Sequence, residues 1–198
     1  MSDSAPKFWL ARHGQTEWSL AGKHTGRNDI PLTPHGEEEA RKLGERLRNL
    51  QVAAVLVSPL QRAKRTCELA GFGARAELLP DLLEWNYGAY DGLKSVEIRA
   101  KRPDWHLFRD GCPGGEMLAD VVARADRVIA RLRSLTGDAL IFSHGHFLRV
   151  LAVRWAGIAP ESGARFSLAP ASLSVLATDS ASGDPVIDRW NDICHLQS

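Results

Sequence analysis

The chain is poor in the features that mark several protein classes. It has three cysteines, Cys67, Cys112 and Cys194, an odd number too widely spaced for a disulfide framework or a zinc knuckle. They read as reduced thiols, with Cys67 in the core. An excess of charge of one sign is also missing: 25 Lys and Arg stand against 24 Asp and Glu, so no global field exists to hold nucleic acid or an anionic membrane. Any anion site must be local. No apolar run approaches the length of a membrane-spanning helix, and the opening MSDSAPK has no apolar stretch behind its Lys, which together predict a cytoplasmic protein. No HExxH motif, carboxylate cluster or cysteine pair completes a ligand set, so His144 and His146 are not expected to bind metal. Gly22-Lys23 runs into His24 rather than forming a Walker loop, and Gly114-Gly115 lacks a dinucleotide fingerprint; no cofactor is expected.

What is present fits one medium-sized domain covering residues 1–198, with 44% apolar and 25% charged residues, a globular composition without low-complexity segments or repeats. Three short apolar runs end in polar turns: Phe8 to Ala11 before Arg12-His13-Gly14, Ala53 to Val57 before Ser58-Pro59, and Ala139 to Phe142 before Ser143-His144-Gly145. Such runs suit buried strands of a parallel sheet. Between them lie helical patterns. Thr33-Pro34 reads as a cap with a first-turn proline ahead of Ala40, Leu43, Leu47 and Leu50, and Ser58-Pro59 repeats the device ahead of Leu60, Ala63, Cys67 and Ala70. Further helices are expected from Leu118 to Leu135 and from about Phe147 to Trp155, and a hairpin from Ser172 to Thr178 and Val186 to Trp190. Alternating strands and helices make the fold α/β, in which ligands bind beyond the carboxyl ends of the strands.

Arg12, His13, Arg62 and His144 would then face one cleft. A phosphate monoester needs fixed positive charge and hydrogen-bond donors around its transferring group, and two Arg forks with a His supply these without metal. The helix behind Ser58-Pro59 would add its positive end. An imidazole can itself attack phosphorus if one nitrogen is free and the other is held, for example by a backbone carbonyl; His13 is placed for that. Among Arg side chains it should be pushed toward its neutral form, which predicts activity from acid to neutral pH. The leaving oxygen needs a proton and the later water needs a base, so one carboxyl group can serve both steps. Glu84, flanked by apolar and aromatic residues in Leu82-Leu83-Glu84-Trp85-Asn86-Tyr87-Gly88, is the candidate. Trp9 and Trp155 read as core, while Trp18, Trp85 and Trp105 are candidates to wall the cleft, and His24 to border it.

These residues belong to a longer ordered pattern. It runs through Leu10-Ala11-Arg12-His13-Gly14-Gln15-Thr16-Glu17-Trp18, Leu32-Thr33 with Gly36, and Ser58-Pro59-Leu60-Gln61-Arg62-Ala63. It continues through Glu84 with Tyr87-Gly88, Gly92-Leu93, Gly115-Glu116 and Ser143-His144-Gly145. From about Phe8 to Gly157 the chain resembles the histidine phosphatase superfamily, also called phosphoglycerate mutase-like. That resemblance implies a three-layer α/β/α sandwich with a mostly parallel sheet, and a metal-independent phosphatase acting on small phosphorylated metabolites, sugar phosphates or bisphosphates among them. It implies that His13 carries the phosphoryl group, that Arg12, Arg62 and His144 complete the phosphate pocket, and that Glu84 donates the proton. Gln15, Ser19, Thr25, Gly26, Tyr87 and Arg149 would surround the substrate, with Arg149 at its distal end.

Ser19 stands where mutases of the family carry Asn, and the segment between Tyr87-Gly88 and Gly115-Glu116 is short where they carry a basic insertion. The wording is closer to the broad-specificity acid phosphatases and sedoheptulose bisphosphatase. A cofactor-dependent phosphoglycerate mutase and a silent phosphate sensor on the same fold are the alternatives. The sequence leaves the oligomeric state open, a homo-oligomer included.

Overall fold

Six strands form a single sheet in the computed structural model, which describes residues 5–197; the first four residues of the opening stretch and residue 198 lie outside the described residues. In chain order the elements are β1 (Phe8–Arg12), α1 (Glu17–Leu20), α2 (Pro34–Leu47), β2 (Ala54–Val57), α3 (Gln61–Leu69), β3 (Ala76–Leu78), α4 (Ser95–Lys101) and α5 (Leu107–Asp110). They continue with α6 (Leu118–Arg133), β4 (Ala139–Ser143), α7 (Gly145–Trp155), β5 (Leu173–Thr178) and β6 (Pro185–Asp192). The sheet order is β3-β2-β4-β1-β5-β6. The first four of these strands are mutually parallel, while β5 and β6 run antiparallel and close one edge as the expected hairpin.

Alternate residues of the strands feed two cores. Phe8, Leu10, Leu56 and Ile141 pack with α6 and α7 residues such as Val121, Val128, Phe147 and Leu151 on one face. Ala11, Val55, Val57 and Phe142 pack with Leu43, Leu47, Ala63 and Cys67 of α2 and α3 on the other. The result is a mostly parallel sheet flanked by helices on both faces, and each fully buried Leu, Ile or Phe there contributes about 1.5–3 kcal/mol. Trp155 is buried, but Trp9 is only half-buried, because its indole N–H reaches the Asp138 carboxylate at 3.1 Å.

Thr33 caps α2 as its Thr-Pro start predicts, its hydroxyl accepting from the Gly36 amide at 2.9 Å. Ser58-Pro59 does not repeat the device. Helix α3 begins at Gln61 behind Leu60, which makes no capping bond, and the Gln61 amide donates to Asp29 Oδ1 at 2.7 Å. The positive end of α3 is thus met by a carboxylate of the protein rather than left open for a phosphate. Edge strand β3 and the short helices α1, α4 and α5 go beyond the sequence reading, because they carry too few residues to show a period.

Candidate active site

The sheet register assembles the site. β2, β4 and β1 are adjacent and parallel, with Val57 opposite Phe142 and Arg12 opposite Ser143. The residues that follow each strand, Ser58, His144 and His13, therefore emerge side by side at one carboxyl edge. The ladder extends one bond further on each side, from the His13 amide to Ser143 O and from the Ser58 amide to Phe142 O, both 3.0 Å. Gly14 lets the chain turn away from His13: a Cβ there would lie 2.3 Å from the Gly36 carbonyl oxygen at the start of α2.

His13 is nearly buried and borders a cleft with a cavity volume of about 300 Å³, room for a small metabolite. Larger depressions exist, such as the one beside Phe108 and Met117, but that one is lined mainly by apolar side chains. His13 Nδ1 lies 2.7 Å from Gly14 O. A carbonyl only accepts, so the proton is on Nδ1 and Nε2 carries the free lone pair. Burial, and then Arg62 and Arg12, push the ring's pKa well below the usual histidine range, which keeps it neutral as the sequence predicts.

His144 stands behind His13, with ring centroids 5.2 Å apart, and is fully buried rather than open to the cleft. Arg62 Nε–H donates to its Nδ1 at 3.2 Å, so its Nε2–H donates to Ser58 Oγ at 2.7 Å. Arg62 also donates to Asn28 O at 2.8 Å and Gly26 O at 2.9 Å, leaving one N–H on each terminal nitrogen for a guest. Arg12 is tied to Leu168 O, and its buried Nε has no partner, an unmet donor suited to an anion. Burial lowers the pKa of both guanidinium groups while the Glu84 carboxylate opposes the shift.

Glu84 borders the same cleft. Its Oε1 accepts the amides of Trp85 (2.8 Å) and Phe147 (3.0 Å), and its Oε2 accepts that of His146 (3.1 Å). Its setting is thus the positive end of α7 rather than the apolar pocket expected from its neighbours. Buried Arg124 holds the loop that carries it: the guanidinium grips Glu116 at 2.8 and 3.0 Å and donates to the carbonyls of Asp81 and Leu83.

Ser19, Thr25, Tyr87 and Arg149 line the cleft. Gln15 does not, since its side-chain oxygen accepts from the Thr33 hydroxyl at 3.0 Å. Nor does Gly26, which serves Arg62 through its carbonyl; its φ of 53° and the Asp91 and Tyr87 side chains around it leave no room for a Cβ. None of the three tryptophans walls the cavity. Trp85 and Trp105 are buried, and half-buried Trp18 lies beneath the Lys23 ammonium, 5.5 Å away. The sequence reading missed Lys23, Ser95 and His146 as lining residues. The His144-x-His146 spacing gives His146 no place at the cleft, and the bridge between Lys23 and Lys94 that brings Ser95 to the cleft has no sequence signal. Among the described residues no group of His, Cys, Asp and Glu is suited to hold a metal ion, and no helix is long and apolar enough to cross a membrane.

A family model for branch 1 of the histidine phosphatase superfamily matches residues 8–193. The chain is 39% identical over 173 residues to an acid phosphatase of Mycobacterium tuberculosis, covering 85% of each. It is 35% identical over 190 residues to sedoheptulose 1,7-bisphosphatase of Saccharomyces cerevisiae, covering 80% of this chain and 70% of the relative. A solved structure of an open reading frame product of M. tuberculosis superposes with a TM-score of 0.88 at 35% identity, covering 94% of this chain and 97% of that one.

Proposed function

Because the chain belongs to branch 1 of the histidine phosphatase superfamily, we propose that this phosphatase hydrolyses small phosphorylated metabolites of the sugar phosphate or bisphosphate type through a phosphohistidine at His13. The observation that carries the proposal is the His13 ring itself. Its Nδ1 proton is spent on a backbone carbonyl, its Nε2 is free, Arg12 and Arg62 line the same cleft, and the buried Arg12 Nε has no partner.

The steps follow from these positions. The substrate phosphate lies between the two guanidinium groups, which offset the charge on its equatorial oxygens. His13 Nε2 gives its lone pair to phosphorus as the ester P–O bond breaks, and Glu84 in its protonated form passes its proton to the leaving oxygen. The positive charge gained by the ring is stabilised through Nδ1–H and the Gly14 carbonyl. Glu84, now a carboxylate, takes a proton from the incoming water, whose oxygen bonds to phosphorus as the P–Nε2 bond breaks. Inorganic phosphate leaves and both residues return to their starting states. His144 acts through Arg62, whose Nε–H it fixes.

Ser19, Thr25 and Tyr87 are proposed to contact the carbon skeleton, and Arg149 to meet its distal end. The Arg149 guanidinium rests on the Phe108 ring with Nε bonded to Gly163 O, which leaves its terminal nitrogens available. One catalytic domain over residues 1–198 and a cytoplasmic location, where the thiols of Cys67, Cys112 and Cys194 stay reduced, complete the proposal. A phosphate-release screen over sugar bisphosphates, sugar monophosphates, phosphoglycerates and nucleotides, with a chelator present, tests it. Release from sugar phosphates is expected, and a preference for nucleotides or a loss of activity with chelator would contradict it.

A further inference from the structure

Beyond Glu84 the cleft changes character. The phosphate end is defined by cationic forks, whereas the next stretch of wall is made of rings: His24 lies 4.7 Å from Tyr87 and 6.0 Å from His146 between centroids, and Tyr87 lies 5.8 Å from His146. The amide of His146 binds the carboxylate proposed to protonate the leaving oxygen. His146 also lines the cleft together with Glu84, on the side proposed to receive the leaving group's carbon skeleton.

The protonation pattern of this wall is readable from its bonds. The Tyr87 hydroxyl lies 2.6 Å from His146 Nδ1. If Nδ1 carried the ring proton, the phenol would accept it and its own O–H, on a buried side chain, would be left without an acceptor. The pairing that satisfies both groups has Tyr87 donate to a bare Nδ1. The ring proton then resides on Nε2, which has no protein partner among the described residues and belongs to a half-buried residue bordering the cavity. Burial pushes the Tyr87 hydroxyl well above its usual pKa and, with Arg149, pushes His146 well below the histidine range, so both stay neutral and the arrangement persists near neutral pH.

We infer that His146, held as the Nε2–H tautomer by Tyr87, is a specificity-determining residue that donates a hydrogen bond to an oxygen on the leaving group and so selects monoesters of hydroxylated carbon skeletons. The inference rests on the phosphatase reading of the same cleft. A neutral N–H next to the reacting end rewards a hydroxyl or carbonyl oxygen there, and an aliphatic skeleton leaves it unpaired.

Two measurements test it. The first compares kcat/KM for glycerol 2-phosphate with that for isopropyl phosphate, which has the same carbon skeleton without the hydroxyls, using 4-nitrophenyl phosphate as the general phosphatase probe. The wild type should favour the glycerol ester by about three- to tenfold, H146L should remove most of that preference, and H146Q, which keeps an N–H donor, should restore part of it. The second is the 15N signature of the His146 ring, expected to be protonated at Nε2 in the wild type and mixed in Y87F. A wild type that hydrolyses 4-nitrophenyl phosphate without preferring the glycerol ester, or a ring protonated at Nδ1, overturns the inference and leaves the phosphatase reading standing. A wild type inactive on all three esters removes that reading and the inference with it.

Discussion

Replacing Glu84 with Gln separates the chemical role of this carboxyl group from its structural one. The carboxylate accepts three backbone amides, two at Oε1 and one at Oε2, and a carboxamide has only one acceptor oxygen. In its better orientation Gln keeps the bonds to Trp85 and Phe147 and turns its NH2 toward the His146 amide, so one buried donor goes unpaired at about 1–3 kcal/mol. That cost is tolerable for a domain of this size, and E84Q should fold. The chemical loss is larger, roughly 10²–10⁴-fold where a proton must be delivered. A glycerol phosphate needs that proton because its alkoxide is a poor leaving group, whereas 4-nitrophenolate leaves without one. In rapid-mixing experiments E84Q should therefore release a burst of nitrophenolate matching the chain concentration, then turn over slowly because the water that cleaves the phosphoenzyme has lost its base. Glycerol phosphate should show no burst and little turnover. A folded E84Q that hydrolyses glycerol phosphate at the wild-type rate would refute the assignment.

Other consequences follow from the same contacts. R124M leaves the carbonyls of Asp81 and Leu83 without their donor and leaves Glu116 only the Asn86 amide at 2.8 Å and Arg27 at 3.6 Å, which should cost roughly 1–3 kcal/mol and lower the thermal midpoint by on the order of 5 °C; calorimetry showing no change would contradict it. S58A removes the acceptor of His144 Nε2–H, so the ring can flip its proton to Nδ1 and deprive Arg62 of its Nε contact. A fall in kcat/KM on the order of tenfold or more is expected, and unaltered kinetics would count against that relay. Acid should destabilise the fold. His13, His24, His144 and His146 all have lowered pKa values through burial, His24 to about 4, so between ~6.5 and about 4 the unfolded chain binds protons that the folded chain refuses. The urea midpoint should drop as pH falls from 7.5 to 5, and a rise would show that these rings are charged in the native state.

The sheet and the phosphate end of the cleft were legible because their signals are local. Three apolar runs ending in Arg12-His13, Ser58 and Ser143-His144 declare three strand ends, and a parallel sheet can only place such ends on one edge. What escaped depends on long-range pairing. Asp29 at the start of α3 takes the helix end that Ser58-Pro59 announces in the sequence, Ser58 turns to His144 instead, and Gln15 is drawn off by Thr33. Glu84 reads from sequence as a carboxylate among apolar neighbours, yet the amides that surround it come mainly from α7, more than sixty residues later. His146 was hidden by company of the wrong kind, since a second His two residues after His144 invites a metal reading, whereas its place on the cleft wall and its bond to Tyr87 point to a different use.

The bond from His13 Nε2 to phosphorus is the central step, and rapid acid-free quenching followed by peptide mass spectrometry observes it. With 4-nitrophenyl phosphate and E84Q, in which the intermediate should accumulate, one phosphoryl group is predicted on the peptide containing His13, lost on acid treatment and absent from the H13A/E84Q double variant. An unmodified His13 peptide during the burst, or turnover that survives H13A, would contradict the mechanism.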